Sequence, residues 1–326
     1  MNQSMKPKVL LTHPLPAPVM ERLQTETLLT APQDSIPFGY DDLLQHLPGH
    51  DALLGTITDK IDAPLLESAV AKGLKVVGNF GVGFNHIDIE AATRLGIQVT
   101  NTPGVLTAAT ADIAFGLMLS AARRFYEGEA LVRAGEWTGW APLQLLGQDV
   151  SGATLGLIGF GRIGKAMAAR ARGFNMNLIY WNRTRLSPGE ESEFRAIYKP
   201  REEVIAKADF LSLHVAYTPE THHLIDAAAL ARMKSTAVLI NTARGPVVDE
   251  TALVHALRSG QLAAAGLDVF EREPQLQEGL ASLPNCTLLP HLGSATVGTR
   301  TKMGFMALDD ILAVLNGVQP KHPVNP

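Results

Sequence analysis

The chain has 326 residues, 46% of them hydrophobic and 18% charged, with a formal net charge of −4 and a pI near 6.2. That length favours two domains of roughly 150 residues with large cores, and the charge gives no electrostatic case for nucleic acid or an anionic membrane as partner. The single cysteine, Cys286, excludes an internal disulfide and a cysteine-based cluster, so no metal is expected and a reducing cytoplasm suits the chain.

The N-terminal stretch MNQSMKPKVLLTHPLP has a four-residue apolar run before Thr12, too short for a secretory signal. Lys8 to Thr12 reads as a strand, Pro18 to Thr25 as a helix with proline at its first position, Leu28 and Leu29 as a short strand, and Asp41 to Leu47 as a helix. Asp51 to Leu54 continues as a strand, and Asp62 to Ala71 as a helix ended by Gly73. Lys75 to Gly78 is the next strand, Asp88 to Leu95 a helix capped by its own aspartate, and Ile97 to Thr100 a further strand. Such βα units build a parallel sheet, here a flavodoxin-like one of about five strands. The helix from Thr107 to about Arg124 is apolar on most faces and is expected to be buried between domains or subunits. Its Thr107, Thr110 and Asp112 argue against a membrane span. A loop from Gly135 to Gly147 then carries Trp137 and Trp140.

From Val150 a second βα half begins. The run Leu155 to Ile158 is unbroken, as in a strand buried on both faces, and leads into Gly159, Gly161 and Gly164. This is G-x-G-x-x-G between a strand and a helix. The first glycine permits the tight turn, the second lets a pyrophosphate approach the backbone, and the third lets the helix pack on the strand. The next strand, Leu178 to Trp181, ends at Asn182, where an acid would hold the ribose of NAD. Asn182, Arg183, Thr184 and Arg185 offer no carboxylate but supply guanidinium and hydroxyl groups for a 2′-phosphate, so NADP(H) is expected over NAD(H), with NAD(H) still usable. Later strands read at Asp209 to Leu213, Ala237 to Asn241, Ala264 to Val269 and Thr287 to Leu289. Helices at Asp226 to Met233 and Asp249 to Ser259 are opened by aspartates. A last helix, Val297 to Leu315, comes too late for this sheet and is expected to return to the first domain. The fold class is therefore α/β, with two Rossmann-like doubly wound domains: a flavodoxin-like substrate domain (1–104 and 295–326) and a dinucleotide-binding domain (105–294).

In an open parallel sheet, ligands bind beyond the carboxyl ends of the strands. Arg244, Glu273 and His291 all follow late strands. Arginine offers a bidentate fork for a carboxylate, histidine a proton donor near neutral pH, and glutamate a charge that orients the ring and favours its protonated form. Together they suit reduction of a ketone that carries a carboxylate.

GNFGVGFNHID, TNTPGVLTAATAD, the glycine fingerprint, SLHVAYTPETHHLI, NTARGPVVDE, GLDVFEREP and PHLGSAT occur in this order along nearly the whole chain. In combination the chain resembles the D-isomer-specific 2-hydroxyacid dehydrogenases. The resemblance implies a catalytic Arg244, Glu273 and His291. It implies cofactor contacts at Thr110, Phe160, Gly161, Arg162, Ile163, His214, Thr242, Asp268 and Gly293, and a substrate-carboxylate nest at the backbone of Val82 and Gly83. GEWTGWAPLQLLGQDVSG and the basic turn after Trp181 look like the glyoxylate/hydroxypyruvate reductase branch. That branch prefers NADPH and acts on small 2-oxo acids, with 2-ketogluconate a further candidate here. In such relatives a tryptophan of this loop can reach the partner's active site. Trp140 is therefore a candidate substrate contact in a homodimer, or with Trp137 plain interface packing. The chain departs from the family at Val215 and Ala216, where Cys-Pro is usual; this alters packing beside the cofactor and removes no catalytic group. Two other readings stay open: oxidation of an inorganic anion such as phosphite with the same three residues, and a cofactor-binding corepressor, which usually needs extra tails where this chain ends at Pro326.

Overall fold

Short apolar runs separated by helix-period segments give a parallel sheet in each half of the computed structural model, which describes residues 6–33 and 36–326. The first five residues of the stretch read above for a leader lie outside the described residues. The chain divides into two units, residues 1–106 with 295–326, and residues 107–294. The first unit begins β1 (Lys8–Leu11), α1 (Ala17–Glu26), β2 (Leu28–Thr30), α2 (Tyr40–His46) and β3 (Ala52–Thr56). It continues α3 (Ala63–Val70), β4 (Val76–Phe80), α4 (Ile89–Arg94) and β5 (Gln98–Thr100). The second unit opens with α5 (Thr107–Ala122), α6 (Phe125–Arg133), β6 (Thr154–Ile158), α7 (Arg162–Arg172) and β7 (Asn177–Trp181). Then come α8 (Pro188–Phe194), β8 (Ala196–Tyr198), α9 (Arg201–Lys207), β9 (Phe210–Leu213), α10 (Ala227–Arg232) and β10 (Val238–Asn241). It ends with α11 (Glu250–Ser259), β11 (Ala264–Leu267) and β12 (Cys286–Leu288), and α12 (Val297–Leu315) returns to the first unit.

In the first unit the strand order is β2-β1-β3-β4-β5, all parallel. Side chains alternate across this sheet. Leu10 and Leu53 face one core while Val9, Leu11 and Leu54 face the other. Each buried leucine stabilises the fold by about 1.5–3 kcal/mol relative to exposure. The helix α12 closes the second of these cores: a Cβ at Gly78 would lie 2.6 Å from Ile311, so this strand glycine makes the seat for the helix.

The second unit has the order β12-β11-β10-β9-β6-β7-β8, with every pairing parallel. The chain's direction of travel across the sheet reverses between β6 and β9, the switch point where such sheets bind ligands. One face is covered by α5 and α7, the other by α9, α10 and α11.

Several boundaries differ from the sequence reading. The helix α1 starts at Ala17, one residue before Pro18. The helix expected to run to about Arg124 stops at Ala122, because Arg124 turns left-handed (φ 55) and starts α6. Within the second unit its Leu117 packs on Gly266. The segment from α8 through α9, including the edge strand β8, had no assignment in the sequence reading.

Candidate active site

The glycine turn is shaped by close contacts. Gly159 has φ +93, and a Cβ there would lie 2.6 Å from the carbonyl oxygen of His214. A Cβ at Gly164 would collide with the Gly159 carbonyl, whereas Gly161 has open space above it. Gly161 also caps α7 without any side-chain bond, so the first-turn N–H groups of that helix present a ready anion site. Ile163 is half-buried in that turn and Arg162 exposed. The ring of Phe160 is buried between Tyr180 and Phe194, which leaves its backbone to line the turn. At the neighbouring strand ends, the hydroxyl of Thr242 is buried with no protein hydrogen-bond partner among the described residues. His214 bonds Ser212 Oγ through Nε2 at 2.9 Å, and burial lowers its pKa to about 4, so the ring is neutral near pH 7. An uncapped helix start, a glycine with open space above it and an orphaned buried hydroxyl fit a dinucleotide at the switch point.

The turn after β7 is more constrained than its composition suggests. Asn182 Oδ1 accepts from the Phe160 N–H at 3.2 Å, and its Nδ2 donates to the Thr184 carbonyl at 2.8 Å, which ties this turn to the glycine turn. Arg185, expected to help receive a 2′-phosphate, is instead paired through two bonds with Glu191 (2.7 and 2.9 Å) and lies over Tyr198. Tyr180 bonds the same carboxylate at 2.7 Å. Arg183 is exposed and makes no ion pair among the described residues.

Arg244, Glu273 and His291 sit beyond the ends of β10, β11 and β12. His291 Nδ1 lies 2.8 Å from Glu273 Oε2, and the other carboxylate oxygen accepts the Phe270 N–H at 2.9 Å. These two side chains are 27% and 29% exposed, so the pair is open on one side to a ligand. Burial raises the Glu273 carboxyl, but the bond and charge of His291, the Phe270 amide and Arg244 outweigh it and hold the group below the ordinary glutamate range. Burial draws the Arg244 guanidinium below its usual value, partly offset by Glu273; it remains a cation. Arg244 donates from Nη1 to the Ala243 carbonyl at 2.7 Å, and Asn241 Nδ2 holds the Arg244 carbonyl at 3.0 Å.

His291 adopts φ 56, a left-handed conformation that side chains rarely take without support. The support is Asp268, whose two oxygens accept the N–H groups of Leu292 (2.6 Å) and Gly293 (2.8 Å). The Gly293 carbonyl in turn accepts from Thr110 Oγ1 at 3.0 Å. Burial raises the Asp268 carboxyl despite these two amides. Thr110, Asp268 and Gly293 therefore form one cluster beneath the histidine.

A feature missing from the sequence reading is Gly245, where a Cβ would fall inside contact distance of the backbone of Phe270 and Glu271. This contact docks the Arg244 loop on the loop that carries Glu273. Gly245→Ala is expected to lower stability by about 1–3 kcal/mol and to reduce turnover while cofactor affinity is kept. Denaturant unfolding and steady-state rates on one preparation measure both, and wild-type values in each would show that the loops have room to separate.

In the first unit, the turn after β4 is fixed through its carbonyls. Asn79 Nδ2 bonds those of Gly81 and Gly83 (3.1 and 3.0 Å), and Asn101 Nδ2 bonds that of Val82 (2.8 Å). Among the described residues the amides of Val82 and Gly83 donate to no protein acceptor, as an anion nest requires. In the second unit Trp140 stands 83% exposed, with Trp137, Leu143 and Leu146 also exposed.

Residues 115–293 match the family model for the NAD binding domain of D-isomer specific 2-hydroxyacid dehydrogenases. The chain is 47% identical to a glyoxylate reductase of Thermococcus litoralis, over 98% of this chain and 97% of the relative. Among solved structures, it is similar to a protein of Thermus thermophilus at 45% identity and TM-score 0.89, covering 97% of this chain and 99% of that one. It is also similar to an NADPH-dependent glyoxylate/hydroxypyruvate reductase of Sinorhizobium meliloti, solved with NADP and malonate, at 34% identity and TM-score 0.83, covering 98% and 97%. With the glycine turn at the switch point and Arg244, Glu273 and His291 on three successive strand ends, the chain belongs to the D-isomer-specific 2-hydroxyacid dehydrogenases, in the glyoxylate reductase branch, and is an NAD(P)-dependent oxidoreductase.

Proposed function

We propose that this enzyme reduces glyoxylate, hydroxypyruvate and, at a longer reach, 2-ketogluconate to D-2-hydroxy acids, with NADPH preferred and NADH usable. The observation that carries the reading is the 2.8 Å bond between His291 and Glu273 beside Arg244. The cofactor, when bound at the glycine turn, supplies the hydride for the keto carbon. Thr110, Phe160 to Gly164, Asn182 to Thr184, His214, Thr242, Asp268 and Gly293 line or support its seat. Arg244 holds the substrate carboxylate and polarises the carbonyl, and the amides of Val82 and Gly83 are the substrate-binding anion nest of the first unit. His291, held by the Glu273 carboxylate, donates to the substrate oxygen as charge develops there. Initial rates for glyoxylate, hydroxypyruvate, pyruvate, 2-ketogluconate and phosphite with each cofactor test this, and turnover confined to phosphite would overturn it.

Cofactor choice rests on the turn from Asn182 to Thr184. Because Arg185 is held by Glu191, Arg183 is the guanidinium offered to a 2′-phosphate. One charge-assisted bond contributes about 1.5–3 kcal/mol, roughly tenfold to a hundredfold in preference. Arg183→Ala is expected to remove most of the NADPH advantage and leave NADH kinetics nearly unchanged, while Asn182→Asp with Arg183→Ala reverses the preference. Comparing kcat/KM for the two reduced cofactors decides it. A clear NADH advantage in the unaltered enzyme would mean that this turn does not read the ribose phosphate.

The working form is proposed to be a homodimer in the cytoplasm. No residue of α6 is buried, and Phe125, Tyr126 and Val132 join Trp137, Trp140, Leu143 and Leu146 among the exposed large hydrophobics. In such a dimer Trp140 contacts the substrate in the partner's site. Sedimentation velocity tests the assembly, and a monomer at micromolar concentration would refute it. The free Cys286 supports the reducing compartment, which cell fractionation checks.

A further inference from the structure

Two carboxylates take no part in proton donation yet are built around the loop that carries it. Glu250, the first residue of α11, is 3% exposed, and Glu271 stands two residues before Glu273. They are cross-bonded: the Glu250 N–H donates to Glu271 Oε1 at 3.0 Å, and the Glu271 N–H donates to Glu250 Oε1 at 2.9 Å. The same Glu271 oxygen lies 3.0 Å from His223 Nε2. One buried side chain therefore grips the loop that contains Glu273 at its start, and its own amide is held in return by Glu271.

The local fold does not need this group as a cap. Asp249 already caps α11 by accepting the Ala252 N–H at 2.9 Å. Burying a carboxyl without a cationic partner is costly; among the described residues Glu250 makes no ion pair, and it is set in the field of two more acids, Glu271 and Glu273. Burial pushes the Glu250 carboxyl up and these charges add to it, while the Glu271 and Gln277 amides oppose the rise. His223 lies across Glu271, and the buried thiol of Cys286 is in the field of Glu250. An arrangement this unfavourable for a charge is well suited to an acceptor oxygen that fixes backbone.

We propose that Glu250 is a positioning residue for the proton-donating pair: by accepting the Glu271 amide, in exchange for its own, it latches the start of the loop and holds Glu273 against His291. This rests on the reading of Glu273 and His291 as the proton donor. The required property is an acceptor of the right length, so Glu250→Gln should preserve it, whereas Glu250→Ala and Glu250→Asp should not.

The test uses the full-length enzyme with glyoxylate and NADPH, measuring kcat, KM, the pH profile and NADPH binding by fluorescence. Glu250→Ala is expected to lower kcat by about tenfold with KM and NADPH affinity near wild type, since small misplacements of a catalytic group have effects of this order or larger. Its alkaline limb should move to lower pH, because Glu273 is no longer held against the ring. Glu250→Gln should recover both properties and Glu250→Asp neither. Wild-type kcat and pH profile in the Ala or Asp variant would overturn the latch, whatever their melting temperatures, as would a Gln variant as impaired as Ala. Should Ala not fold, Asp against Gln decides alone. His291→Ala in parallel separates the two readings: an active His291 variant overturns the donor assignment itself, while an inactive one beside a normal Glu250→Asp overturns the latch only.

Discussion

His291→Ala is expected to lower turnover by about 10²–10⁴ while leaving NADPH binding near normal, the range for loss of a general acid. The ring is attached to the fold through its backbone, by Asp268 holding Leu292 and Gly293, so truncation beyond Cβ removes the donor without releasing the loop. The partner variant, Glu273→Gln, tests the charge. The Glu273 carboxyl is held below the ordinary glutamate range, so it is ionised near pH 7 and favours the imidazolium beside it. With glutamine that charge is gone. The fall in reduction rate with rising pH should then shift in the acid direction. A depressed carboxyl also stabilises the fold above its unfolded pKa, and that contribution is lost as pH falls through the folded value. Acid unfolding of the wild type should therefore show a contribution that the glutamine variant lacks. An unchanged pH–rate profile in Glu273→Gln would remove the carboxylate from the mechanism.

Arg244→Lys should lower kcat/KM by about tenfold to a hundredfold, the equivalent of losing one charge-assisted bond of the fork. Lysine keeps the positive charge but presents a point donor where a planar pair matches a carboxylate. The position is also mostly buried, which disfavours a charged ammonium more than a delocalised guanidinium. The Asn241 bond to the Arg244 carbonyl survives the substitution, so the loop itself should hold. A lysine variant with wild-type kcat/KM would show that charge alone suffices at this position.

The central strands were legible because they are buried on both faces. Leu155 to Ile158 and Val238 to Ile240 read as unbroken apolar runs for that reason. The edge strand β8 was not legible, since it is three residues long and its Ile197 is 58% exposed. The helix α8 buries no residue and is set by the capping box of Ser187 and Glu190, a pattern present in the sequence but without an apolar stripe after it. At the site, Arg244, Glu273 and His291 were readable from their places after strands. What the residues do to one another was less so. The composition of the turn offers Arg185 to a phosphate, whereas Glu191, six residues on, holds it. Glu250 follows a capping aspartate and reads as an ordinary acid of a first helical turn, and its grip on Glu271 is a contact between distant loops. Gly245 is one of 29 glycines, and only its approach to Phe270 separates it from the others.

The three groups proposed to handle charge and proton occur within one stretch of chain, from Arg244 to His291, inside the unit of residues 107–294, whereas the Val82–Gly83 turn belongs to the other unit. Descent with modification can therefore act on the two separately. Substitutions confined to residues 1–106 leave both partners of the Glu273–His291 bond and of the Asp268 amide bonds unchanged.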